Sequence, residues 1–239
     1  MVKYQEDKME KKFIFLKKFI FLLIVVTFVT GSAFAQMQTS IGLGGSYTAA
    51  FGGGYNVSMA GENSGYEFPY SGIGFYAYLD GKYVEFSLGY FFGNLEIKPT
   101  GLQAGFEKSK EIKTTSCTFG LLGKYPFSIG ESMAIFPAAG IEYNYVLSAK
   151  DDLYEYKDAS EYLSHLWFKF GLGLDYFFNE STYLRLAALY GIRLETKMEK
   201  NGLDKEKQYI DENGYSSAMS ADPVLGHGIQ IKVAVGFNL

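Results

Sequence analysis

The sequence predicts an all-β fold: an eight-stranded antiparallel up-and-down transmembrane β-barrel behind a cleavable signal peptide. Three observations carry this. Segments of alternating apolar and polar residues recur along the chain, as two-faced strands require. The connections between them alternate long and short, which puts turns at one end of a barrel and loops at the other. Eight charges within the segments fall on the face opposite the bulky apolar one.

The last segment shows the pattern best. Ile229, Ile231, Val233, Val235, Phe237 and Leu239 share one face, and Gln230, Lys232, Ala234, Gly236 and Asn238 the other. An apolar edge strand invites aggregation unless it is paired, and barrel closure pairs it. The 239 residues are 18% aromatic, with Tyr 20, Phe 21 and Gly 28, a bias that suits β structure with close backbone contacts. A net charge of −4 argues against a nucleic-acid partner. Cys117 is the single cysteine, so no intrachain disulfide forms.

The N-terminus reads as an address. Lys11, Lys12, Lys17 and Lys18 precede or flank an apolar run starting at Phe19, and Ala33-Phe34-Ala35 stands before Gln36. This is a basic region, an apolar core and a small-residue cleavage site. The run is shorter than the roughly 20 residues a helical span needs. The expected division is a signal peptide, 1–35, and a barrel domain, 36–239, with translation starting at Met1 or, given the acidic Glu6, Asp7 and Glu10, at Met9.

The expected elements follow in order. Strand one is Gln38 to Phe51, and 52–68 is a Gly-, Asn- and Ser-rich loop. Strand two is Tyr70 to Leu79, closed by Asp80-Gly81, a two-residue hairpin signal. Strand three is Tyr83 to Leu95, then a charged loop, 96–111. Strand four is Ile112 to Tyr125, a turn covers 126–132, and strand five is Met133 to Leu147. A charged loop, 148–164, leads to strand six, His165 to Phe178, and the tight turn Asn179 to Ser181. Strand seven is Thr182 to Leu194, a long charged loop covers 195–225, and strand eight is Gly226 to Leu239. No stretch after the signal shows a convincing helical period. Asn201-Gly202 suggests a hairpin that lengthens strands seven and eight, so a ten-stranded barrel stays open.

The faces decide which side meets lipid. Val84, Phe86, Leu88, Tyr90 and Phe92 form one outer face, and Phe168, Phe170, Leu172, Leu174, Tyr176 and Phe178 another. Opposite the apolar faces stand Glu85, Lys124, Glu142, Lys169, Asp175, Arg185, Arg193 and Lys232. A charge facing lipid near the midplane costs about 2–4 kcal/mol, which accounts for the exclusion. A soluble barrel or sandwich would segregate faces too, but here the apolar face is bulky and aromatic and the polar face small. Tyr90, Tyr125, Tyr143, Tyr145, Tyr176 and Tyr190 are placed to form interfacial girdles. Cys117 lies on the outer face as filler.

The turns set registers. A turn at Asp80-Gly81 sets Leu79 against Lys82 and Ala77 against Val84, and both apolar faces coincide. A three-residue turn at Asn179 to Ser181 sets Asp175 opposite Arg185, an ion pair, and Trp167 opposite Arg193, a cation–π pair.

With this architecture the chain resembles the small eight-stranded outer-membrane β-barrel superfamily, which includes the transmembrane domain of outer-membrane protein A, the protein X family and the opacity-protein-like, porin-like barrels. The resemblance covers nearly all of 36–239 and rests on architecture rather than a motif. It implies a monomeric barrel in the bacterial outer membrane, surrounded by outer-membrane lipid and inserted by the outer-membrane assembly machinery. Members usually end in Phe or Trp; here the last residue is Leu239, with Phe237 on the same face.

An eight-stranded barrel has an interior just filled by side chains. The eight inner charges therefore form a network, either a structural plug or an ion gate, and no catalytic, cofactor or metal site is expected. His165 and His227 are the only histidines. Ser164 and His165 are neighbours on a strand and point apart; Ser216, Ser217 and Ser220 precede His227 in the loop, an unspecific arrangement. The loops carry mixed charge, Lys150 to Glu161 and Glu195 to Glu212, a surface for water or for a host or neighbouring cell. The expected function is a structural or surface-interaction role through long external loops. The alternatives are a narrow channel for small solutes or apolar molecules and a lipid-modifying barrel enzyme.

Overall fold

The computed structural model describes residues 39–59, 62–151, 155–156, 158–212 and 219–239. The expected signal peptide, 1–35, lies outside these residues, as do the two candidate starts and Ser216 and Ser217. Ten strands run in chain order: β1 (Thr39–Met59), β2 (Glu62–Glu67), β3 (Tyr70–Gly81), β4 (Val84–Thr100), β5 (Lys110–Lys124), β6 (Phe127–Ile129), β7 (Met133–Lys150), β8 (His165–Phe177), β9 (Thr182–Arg193) and β10 (Met219–Asn238). Among the described residues two α-helices, α1 (Ala159–Leu163) and α2 (Lys197–Glu212), follow β7 and β9.

These strands make eight staves. β2 and β3 are one stave broken at Phe68-Pro69, and β5 and β6 one stave broken at Tyr125-Pro126; a proline has no N–H to give to a ladder. Every pairing is antiparallel between staves adjacent in sequence, and β1 pairs with β10 to close the ring. This is the up-and-down eight-strand ring that the alternation predicts. Closure leaves no edge within the ring.

Sidedness follows the sequence pattern. Leu43, Ile73, Phe75, Leu172 and Phe178 face outward and are 56–70% exposed. Glu85, Lys169, Arg185 and Lys232 face inward and are buried. Apolar outside and charged inside inverts a water-soluble protein and fits a lipid surround. Aromatic residues pack along the outer wall: Tyr83 stacks on Tyr125 at 5.6 Å, and Tyr125 with Phe127 at 5.0 Å and Phe170 with Tyr190 at 5.3 Å meet tilted.

Several expectations change. β1 does not stop at Phe51. Gly52, Gly53 and Gly54 take positive φ, the strand bends there without ending, and it continues to Met59 in a hairpin with β2. β10 likewise starts at Met219, seven residues before Gly226, because it pairs with this extension from Gly54↔Val224 to Met59↔Met219. The segment with no expected helix contains α2, and Asn201-Gly202 lies inside it, so no further hairpin forms in 197–212. The turn of the first short hairpin is Lys82-Tyr83 rather than Asp80-Gly81: Gly81 pairs with Val84, and Leu79 with Phe86 instead of Lys82. Lys82 takes the left-handed φ of 46°. Asp80 is drawn into the strand because it is bound inside the barrel. The other predicted register holds: Asp175 faces Arg185 and Trp167 faces Arg193. Asn179 shapes that turn, its side-chain oxygen accepting from the N–H groups of Ser181 and Thr182 at 2.9 and 2.8 Å.

Candidate functional site

The lumen holds the charges. At its turn end, Arg185 of β9 donates from Nε and Nη2 to the two oxygens of Asp175, both at 2.7 Å. Its Nη1 donates to Glu85 at 2.7 Å and Nη2 also to Asp80 at 2.6 Å. One guanidinium thus binds three carboxylates from three staves, using the planar fork that Lys lacks. Asp80 also receives Lys124 Nζ at 2.5 Å.

A second tier lies toward the loops. Lys169 Nζ donates to Glu142 at 2.5 Å and to the Gln230 oxygen at 3.0 Å. Lys232 links the tiers, 3.9 Å from both Glu85 and Glu142. Each of these cations also sits over a ring: Arg185 over Tyr78 at 4.6 Å, Lys124 over Phe136 at 4.7 Å, Lys232 over Tyr76 at 4.9 Å and Lys169 over Trp167 at 5.5 Å. The rings fit because small residues lie opposite them. A Cβ on Gly236 would stand 2.2 Å from Tyr183, and one on Gly173 2.1 Å from Phe136.

Arg193 stands at the mouth, and here α2 arrives. Glu199 in its first turn accepts from Arg193 Nη2 at 2.5 Å and from the Thr196 N–H at 2.5 Å, while the Thr196 hydroxyl accepts from the Glu199 N–H at 3.2 Å. That is a capping box, and it leaves Glu199 only 1% exposed. Leu203 and Ile210 of α2 and Ala159 and Leu163 of α1 close over Ile112, Val146 and Trp167 in one apolar cluster. The lumen is therefore plugged by ion pairs below and roofed by apolar side chains above.

All eight sequence-predicted charges lie inside this wall. Seven belong to the paired tiers, and Arg193 joins α2. Trp167 stacks with Lys169, not with Arg193, because Glu199 takes the guanidinium. Two members escape sequence reasoning. Asp80 reads as a turn residue and Glu199 as one loop charge among many, although Thr196-Lys-Met-Glu199 carries the S/T-x-x-E signature of a helix start. With both included, five carboxylates meet five cations.

The histidines stand apart from one another. His165 faces inward and its Nδ1 donates to the Leu163 carbonyl at 2.8 Å. His227 faces outward, sharing a 2.6 Å hydrogen bond with the Tyr190 hydroxyl. Ser164 accepts from the Val146 N–H at 3.0 Å, and the Ser220 hydroxyl donates to Asp222 at 3.2 Å, so neither reaches a histidine. Among the described residues, no group of three His, Cys, Asp or Glu side chains is placed to hold a metal ion.

Beyond the apolar band, β10, β1, β2 and β4 continue as a sheet. Tyr66 donates to Glu107 at 2.8 Å. Burial raises its phenol above the ordinary value, and that hydrogen bond raises it further. Burial likewise pushes Tyr55 up to about 12, with Glu206 and Glu107 adding to the effect.

No protein-family model matches the chain, and no curated protein matches it. Solved structures of similar shape include the outer membrane protein OprG from Pseudomonas aeruginosa, at 13% identity and TM-score 0.47, over 85% of this chain and 96% of that one. Neisserial surface protein A follows at 10% identity and TM-score 0.43, over 83% and 97%. The N-terminal β-barrel domain of Pseudomonas aeruginosa OprF is similar at 14% identity and TM-score 0.35, over 85% and 100%.

Proposed function

We propose that this chain is a monomeric, non-enzymatic outer-membrane barrel that acts through its loop-end surface rather than through its lumen. The observation that carries the reading is the interior. Charges from every tier are paired, stacked on rings and at most 8% exposed, so a solute would have to break buried ion pairs to pass. Breaking one costs about 3–5 kcal/mol. The loop end supports the second half, since the strands continue past the apolar band and two helices roof the mouth. The partner is a ligand on a host or neighbouring surface, met outside the membrane, while lipid and the assembly machinery meet the wall.

Planar-bilayer recording on the folded barrel tests this. The expected result is no steady conductance; an ohmic channel seen in wild type would transfer the function to the lumen. Export with removal of 1–35 is part of the reading, and N-terminal sequencing of the membrane-extracted protein should begin at Gln36.

A further inference from the structure

Between the second charge tier and the apolar roof lies a layer of uncharged polar side chains from four staves: Tyr70 of β3, Ser116 of β5, Asn144 of β7 and His165 of β8. Asn144 and His165 are direct cross-strand partners, and Asn144 stands two residues along β7 from Glu142, on the same face. Tyr70 reaches the layer by lying across Gly93, where a Cβ would come within 2.5 Å of its hydroxyl. Its ring stacks on Phe91 at 5.8 Å and meets the His165 ring edge-on at 6.0 Å. Thr114, Asn144 and Ser116 surround the hydroxyl.

All four residues are at most 5% exposed. Each carries one atom with no hydrogen-bond partner among the described residues: the Tyr70 hydroxyl, the Ser116 hydroxyl, Asn144 Oδ1 and His165 Nε2. Thr114 differs, since its hydroxyl donates to the Gly93 carbonyl at 3.1 Å. Buried polar groups are nearly always hydrogen-bonded, and each one left unpaired is costly. Eight such atoms occur among the described residues, and four of them in one layer point to a shared partner rather than to four separate defects.

Their hydrogen-bonding capacities decide what that partner is. His165 Nδ1 donates to the Leu163 carbonyl, so Nε2 carries a lone pair and only accepts. Asn144 Oδ1 also only accepts, while the two hydroxyls can donate. The partner must therefore give two hydrogens and accept two. It must be neutral, because the charges on either side are already paired, Glu142 with Lys169 and Arg193 with Glu199. It must also fit beneath a closed roof. We propose that this layer is a hydration site, in which an ordered water donates to Asn144 Oδ1 and His165 Nε2 and accepts from Tyr70 and Ser116. The roof then does more than close the mouth. Leu163 ends α1, and its carbonyl fixes the histidine tautomer that the site needs.

The test is a crystal structure of the detergent-folded barrel at a resolution that shows waters, read together with urea unfolding of Ser116→Ala and Tyr70→Phe. Each variant deletes one hydroxyl and adds no bulk, so both should fold. The expected density is the size of one water, within about 3.2 Å of at least three of the four atoms. The urea midpoint should fall by roughly 0.5 M in each variant, because the water loses a donor. A site closed by direct contacts, with Tyr70 donating straight to Asn144 or a turned Asn144 amide donating to His165, would overturn the proposal. So would a midpoint that holds or rises in either variant, since deleting a truly unpaired buried hydroxyl relieves a cost. Density larger than a water would make the layer a site for an organic molecule and overturn the proposal as well.

Discussion

Asp175 and Arg185 are direct cross-strand partners joined by two parallel hydrogen bonds of 2.7 Å, and the same guanidinium holds Asp80 and Glu85. Arg185 is therefore shared, while Asp175 is one of its three acids. Asp175→Ala should destabilise the barrel by about 3 kcal/mol, the low end for a broken buried pair, since two carboxylates remain on the cation. Arg185→Met should cost more, because it strands three acids. Urea unfolding in detergent reads both, and a larger loss for Asp175→Ala would reverse the assignment of the hub.

The second tier is a pair that can be removed together. Glu142→Leu and Lys169→Met should each cost about 3–5 kcal/mol by leaving a buried charge alone. The double variant should recover much of the loss, because replacing a whole buried pair by apolar groups is often nearly neutral. A double-mutant cycle on unfolding free energy measures the coupling, and additive losses would mean that the short contact contributes nothing of its own.

Position along the strand should set the cost of a charge on the outer wall. Leu172, mid-strand on β8 and 56% exposed, should tolerate Arg badly, with a loss of about 2–4 kcal/mol in lipid vesicles. Leu225, 54% exposed and near the loop end of β10, should lose about 0–1 kcal/mol for the same change. Equal, negligible costs at both positions would contradict a lipid-facing wall.

Two changes at one helix start should separate local from global effects. Thr196→Ala removes only the cap and should cost about 1 kcal/mol, seen as faster protease cutting within α2 with the barrel intact. Glu199→Ala removes the cap and also strands Arg193 in the mouth, so it should lower barrel stability as well, by about 3 kcal/mol.

Sidedness was legible in the sequence because it rests on a period of two, and every strand repeats it. Eight inward charges follow from that period residue by residue, while Asp80 and Glu199 do not. Register was legible only up to an even slip. Pairing Leu79 with Lys82 or with Phe86 leaves every apolar residue outside, so the faces cannot tell the two apart. The distinguishing contact is between Asp80 and groups on β5 and β9, Lys124 and Arg185, far away in the chain. The same holds for α2. Met198, Leu203 and Ile210 are too sparse among its charges to show a helical stripe, and what orders them is the roof they complete. Its capping box was present as a local signal, but Asn201-Gly202 competed with it as a turn signal, and tertiary packing decided.

The ambiguity at the Lys82-Tyr83 turn has a consequence for assembly. Lipid accepts any even slip, since each keeps the greasy side out, so the membrane alone would admit a family of staggered barrels. Only the true stagger brings Asp80 level with Arg185 and Lys124. The buried ions then act as a combination lock on stave alignment. A barrel whose lumen charges were all replaced by isosteric apolar groups should still insert, yet give several closely spaced folded bands on unboiled gels in place of one.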